Sequence, residues 1–199
     1  METARLLSNP FTGDAGDKCF GCSKTNSHGL HLEFAEDGDS VFCRWKPDAR
    51  FQSWDGVLHG GITTTILDET AGWATMRRFQ RSAMTTRIEV KFLKPARIDT
   101  AFFVSRAKYV CQVNEKIARF HATLEDADGL ICAEADADYY VMDEQRSKAM
   151  GFTSCDARQA HSQARQMDLW VNMNKRVAAG VVAINHLTES GIEPRRDMV

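Results

Sequence analysis

Two adjacent glycines, Gly60 and Gly61, with Asp68 seven residues after the second, are the residues of this chain best spaced to do chemistry. Glycines at the start of a helix leave backbone N–H groups unobstructed, so a ligand atom can approach closely. Those first-turn N–H groups lack intrahelical partners and lie at the positive end of the helix dipole. Such an end stabilises negative charge developing on a carbonyl oxygen under attack. Asp68 falls about two turns further along the same face, with Thr65 between and Gly72 beyond. A carboxylate flanked by small residues has room to serve as general base or as nucleophile. The competing interpretation is an ordinary loop end followed by a solvated mid-helix acid.

The elements around these residues bear on that choice. Over residues 60–79 the apolar positions follow a helical period: Ile62, Ile66 and Trp73 share one arc, and Leu67, Ala71 and Ala74 the next. An arc that wide predicts a helix buried deeply against a sheet, where an acidic residue needs an explanation. Before it, residues 30–35 and 40–46 read as a hairpin around the turn at Glu36-Asp37-Gly38-Asp39, and 47–58 as a loop carrying Phe51 and Trp54. After it come four strand-like runs, 86–92, 101–110, 118–125 and 130–142, the third with a clean alternation of Ala118, Phe120, Ala122 and Leu124 against polar neighbours. Short turns between neighbouring strands favour an antiparallel sheet. The expected class is therefore α+β, a sheet wrapped around one central helix. Residues 1–18 read as a loop-like leader, 19–143 as the main domain, and 144–199 as a helical extension with one or two helices over 156–187.

With these residues in view, the chain resembles the hotdog-fold acyl-CoA thioesterases of the PaaI-like type. The resemblance rests on Gly56-Val57-Leu58-His59-Gly60-Gly61, on Asp68, and on the run from Thr85 to Lys94-Pro95-Ala96. Cys19-Phe20-Gly21-Cys22 and Asn26-Ser27-His28-Gly29-Leu30 are similar to the start of one branch of the family, so the likeness spans about residues 19–142. It implies a hotdog fold and hydrolysis of an acyl-CoA thioester without metal or organic cofactor. It implies that a Gly60 or Gly61 N–H polarises the thioester carbonyl, that Asp68 is the catalytic carboxylate, and that Thr85 positions water. His59 matches a histidine that is more often structural. The sites form between subunits, so a homodimer or a dimer of dimers is implied. Where some relatives carry an asparagine this chain has Ser53 beside Gln52, either of which could supply a hydrogen bond to substrate. Glu69 is an alternative carboxylate, turned roughly 100° away on the wheel, and Asp68 is preferred.

Weaker signals have plainer interpretations. Cys19 and Cys22 with His28 and His31 have zinc-ligand chemistry, but the histidine spacing is short and two buried thiols shaping a loop are preferred. Trp54 and Phe51 either line an acyl pocket or anchor their loop. Arg77, Arg78 and Arg81 could meet phosphates of coenzyme A, though a solvated helix end is the simpler expectation. The 199 residues are 43% hydrophobic and 26% charged, which excludes a disordered or collagen-like chain. Twenty-five basic residues against 27 acidic ones give a net charge of −2 and no general attraction to nucleic acid or an anionic membrane. No apolar run is long enough to span a bilayer, residues 1–17 lack the pattern of a secretory signal, and the six scattered cysteines read as reduced thiols. A cytoplasmic protein with a small-molecule partner is expected. No serine-hydrolase elbow, metalloprotease helix or nucleotide-binding loop is present.

Overall fold

Breadth of apolar arc translates directly into burial. Gly60–Phe79 form one α-helix, α1, in which Ile66, Leu67, Ala71, Trp73 and Ala74 are buried. Threonines are buried with them, at no loss of hydrogen bonding: the Thr70 and Thr75 hydroxyls donate to the carbonyls of Ile66 and Ala71 at 2.6 and 2.9 Å. His59 caps the start. Gln80 ends the helix in the left-handed region with φ 51°, and its N–H returns to the Met76 carbonyl.

The computed structural model describes residues 4–11 and 18–158, all within the compact unit Met1–Ala160. The strands are β1 (Arg5–Leu7), β2 (Phe34–Asp37), β3 (Ser40–Trp45), β4 (Ala83–Phe92), β5 (Phe103–Gln112), β6 (Ile117–Glu125), β7 (Ile131–Val141) and β8 (Ala157–Arg158), with a short helix α2 at Glu144–Ala149. They form one sheet in the order β4-β7-β6-β5-β3-β2-β1-β8, and every pairing is antiparallel. Central strands alternate as expected: Ala118, Phe120, Ala122 and Leu124 of β6 point inward and are buried, and α1 packs across β3 to β7. Phe34 stacks on Trp73 with ring centroids 4.6 Å apart, fixing the helix against β2. This antiparallel sheet around one long helix is the hotdog fold. No helix among the described residues is long and apolar enough to cross a membrane.

Three local features differ from expectation. The strand expected over 30–35 starts only at Phe34, because the N–H groups of Leu30 and Leu32 donate to the carbonyls of Phe20 and Gly21 rather than to a strand partner. Within the stretch read as a loop-like leader, Arg5–Leu7 is a strand, paired to β2 on one side and β8 on the other. Arg5 also bonds Glu36 at 2.6 Å, and the Phe11 ring meets Phe152 edge to face at 5.8 Å. The helices expected over 156–187 lie outside the described residues apart from 156–158, where β8 is found.

Candidate active site

Asp68 sits on α1 opposite the point where β4 and β7 pair. Thr85 of β4 and Tyr139 of β7 are directly opposed across that ladder, so both side chains stand on the same face. A register shift between Thr85 and Arg87 kinks β4 at this point. Both hydroxyls aim at Asp68: Thr85 Oγ1 donates to Oδ1 at 2.8 Å and Tyr139 Oη reaches Oδ1 at 2.8 Å and the Asp68 carbonyl at 2.7 Å. One carboxylate oxygen is thus held from two sides, and Oδ2 accepts no hydrogen bond among the described residues. Burial, and then the Asp68 charge, hold the Tyr139 phenol well above its usual pKa, so it is a permanent donor. Thr85, expected to position water, donates its hydroxyl hydrogen to the carboxylate. Tyr139 escaped the sequence reading.

These groups line a cavity of about 270 Å³ shared by Asn9, Phe11, Gly72, Trp73 and Met76. Glu69 lines it too, turned to the side as the helical wheel requires, and there it meets Cys19 and Cys22. Cys19 Sγ and Glu69 Oε1 share a hydrogen bond at 3.4 Å, and the Cys22 N–H donates to Cys19 Sγ at 3.5 Å. Burial, reinforced by the neighbouring thiolate, pushes the Glu69 carboxyl up to about 8. Hydrogen bonding from the Cys22 side chain pulls Cys19 down to about 5, against its partial burial, and Cys22 moves upward in return. The histidines considered with these cysteines are elsewhere: His31 Nδ1 bonds the Ser23 carbonyl at 2.8 Å, and the cluster comprises only Cys19, Cys22 and Glu69.

The other expected residues gather at the start of α1. His59 Nδ1 accepts from the Gly61 N–H at 2.9 Å, which fixes the ring and puts its proton on Nε2. Ile62 and Thr63 donate to the His59 carbonyl. The Gly60 N–H is therefore the first-turn donor left without a partner among the described residues. Gln52 Oε1 accepts from Gly56 N–H at 3.3 Å, Ser53 N–H bonds the Val57 carbonyl, and Trp54 is 82% exposed. The Trp54 side chain thus anchors nothing among the described residues, whereas Phe51 packs on Trp45 and Phe20. The structure brings Asp68 and Thr85 together, and keeps Gln52, Ser53, Trp54, His59, Gly60 and Gly61 apart from them. Seven residues of helix separate Gly61 from Asp68 by about 10 Å along the axis. Of the basic cluster, Arg77 is bound to Glu36 at 2.6 Å and Arg78 lies over the Tyr109 ring at 3.7 Å, so both serve the scaffold.

Comparison with known proteins bears on the fold that carries these residues. Residues 55–133, from the loop before α1 into β7, match the family model of the thioesterase superfamily. Solved structures similar to it include a thioesterase from Haemophilus influenzae at 19% identity and TM-score 0.55, covering 61% of this chain and 85% of that one. The E. coli PaaI protein of the phenylacetic acid degradation operon is 13% identical with TM-score 0.52, covering 57% and 81%. Zebrafish thioesterase superfamily member 2 is 20% identical with TM-score 0.52, covering 59% and 89%. At these identities what is shared is the fold. No curated protein matches the chain in sequence.

Proposed function

We propose that the chain hydrolyses acyl-CoA thioesters to the free acid and coenzyme A, at sites completed by a second copy of itself. The observation that carries this reading is Asp68: a cavity-lining carboxylate with Oδ1 clamped by Thr85 and Tyr139 and Oδ2 left to take a proton from water. The match of residues 55–133 to the thioesterase superfamily supports a thioester as the substrate class. Water activated by Asp68 attacks the thioester carbon, and the oxyanion that forms is met by the N–H groups opening α1. Gly60 is the donor ready for this; the Gly61 N–H joins it only when His59 yields.

Both functions cannot serve one carbonyl within a single chain. A base and an oxyanion donor must each lie about 3 Å from the reacting atoms, whereas the two are about 10 Å apart along a rigid helix. A two-fold pairing with antiparallel helices brings the start of one α1 to the Asp68 of the other, twice over. β4 supports that arrangement: it is an edge of the sheet, carries both Thr85 and Phe92, and exposes Met84 (57%) and Phe92 (58%), with Leu93 (50%) just beyond its end.

The test is thiol release from short, long and aromatic acyl-CoAs by the wild type and by Asp68→Asn. Wild-type turnover on at least one of them is expected, with a loss of about a thousandfold or more in the variant at unchanged Tm. Tight binding of every acyl-CoA with no thiol released would instead mark a binding module. Full activity in Asp68→Asn would remove the assignment.

A further inference from the structure

We propose that Cys19, Cys22 and Glu69 form a binding site for a divalent metal ion of the zinc class, set in the wall of the Asp68 cavity. Four independent features of the structure meet at this point. The first is geometry: the two sulfurs and a Glu69 oxygen all lie within 4.8 Å of one another. A tetrahedral zinc with its usual bond lengths sets sulfur and oxygen ligands about 3.5 Å apart, and Cys19 Sγ and Glu69 Oε1 stand at 3.4 Å. The second is ligand chemistry: a Cys-x2-Cys pair with a carboxylate suits zinc, a borderline-soft ion, far better than calcium or magnesium.

The third is charge. Among the described residues that line the cavity together with Glu69, Cys19, Cys22 and Asp68, none is cationic. Deprotonated, the three ligands carry three negative charges in a partly buried place, an arrangement that only a cation or bound protons can offset. The fourth is an orphaned donor. Trp73 is 5% exposed, its indole N–H has no hydrogen-bond partner among the described residues, and it is turned to Cys22. An N–H directed at sulfur is the outer-sphere contact that steadies a metal thiolate, as the Cys22 N–H does for Cys19 Sγ.

The loop is cut to this site. A Cβ on Gly21 would stand 2.4 Å from the Glu69 side chain, so only glycine lets the Cys19–Cys22 turn close over the carboxylate. Both cysteines are free, so both sulfurs are present to take an ion. Three protein ligands would leave a fourth position for water or substrate, and all three line the cavity in which Asp68 and Thr85 also stand.

The experiment is an anaerobic titration of the reduced, tag-free full chain, stripped with a chelator, with Co2+ as spectroscopic probe and Zn2+ as competitor. A thiolate-to-cobalt charge-transfer band with intense tetrahedral d–d bands is expected, saturating at one equivalent per chain and erased by Zn2+. Cys19→Ser and Cys22→Ser should lose the band, and Cys111→Ser, at an exposed cysteine, should keep it. Glu69→Gln and Gly21→Ala retain both sulfurs. Each should weaken binding by more than the roughly tenfold that loss of an outer-sphere partner costs. A folded wild-type chain with no band overturns the proposal, as does a band that survives in Cys19→Ser or an affinity unchanged in Glu69→Gln.

Discussion

At its start α1 is open: the Gly60 N–H has no partner among the described residues, Gly61 is exposed, and the neighbouring Trp54 is 82% exposed. Two turns on it is enclosed, with Asp68 held by hydroxyls from two strands and Glu69 covered by the Cys19–Cys22 turn. The enclosed part is held from within, since Asp68 Oδ1 and the Glu69 carboxyl are each bonded by other residues of the same chain. The open part is half of something. A stiff helix can set two groups at a fixed spacing but cannot fold back to bring them to one carbonyl, so the proposed reaction at this spacing calls for a symmetry mate.

The sharpest way to break this comparison is at the open end. Proline is well tolerated at the first helical position, and His59 at φ −62°, ψ 132° already has the backbone that precedes one. Gly60→Pro therefore deletes the free N–H and little else. Turnover should fall by about 10²–10³-fold with Tm nearly unchanged; an unaffected kcat would move the oxyanion site elsewhere. Mixing that variant with Asp68→Asn sharpens the point further. If each site draws on both chains, two dead proteins reassort into dimers in which one site is whole. Activity should then return to about a quarter of wild type, because half the dimers are mixed and each has one working site of two. No recovery after verified exchange would place both half-sites in one chain.

A smaller effect is expected at the enclosed part. Tyr139→Phe removes one of two donors to Asp68, and a hydrogen bond to a charged group is worth about 10- to 100-fold. The loss should appear in kcat rather than KM, since the phenol positions the base. The smallest concerns the strand that carries it. Asp138, next to Tyr139 but on the opposite face, accepts from Arg119 at 2.6 and 2.7 Å, and this bonding holds its carboxyl below the usual range. A depressed folded-state pKa adds stability that is complete above the ordinary carboxylate pKa and disappears as pH falls through the folded value. The Tm gap between wild type and Asp138→Asn, a few degrees at most, should accordingly be full at neutral pH and close in acid.

The helix was legible because its signals are local: paired glycines, a wide apolar arc, and an acid at helical spacing all fall within the twenty residues of α1. Asp68 with Thr85 followed from the same local pattern plus the resemblance. Tyr139 did not, because strand alternation tells which face a side chain takes and not what it touches 71 residues away. Glu69 was set aside for pointing off the Asp68 face. Nothing in the helix sequence shows that a turn 50 residues upstream folds over that second face. β1 was invisible for another reason: three residues are too few for a period of two to register, and its partner β8 is contributed from the far side of the sequence.

That last pairing ties the site to a part of the chain remote from the chemistry. β1 and β8 zip the first and last described segments together, while the Gln80 amide clasps Cys155 through both N–H and carbonyl. Asn9 and Phe11, two residues of the reaction cavity, hang from this seam. Trimming the polypeptide just behind Met150 would unfasten the seam from its C-terminal side, and the damage would surface as a slackened pocket wall beside Asp68.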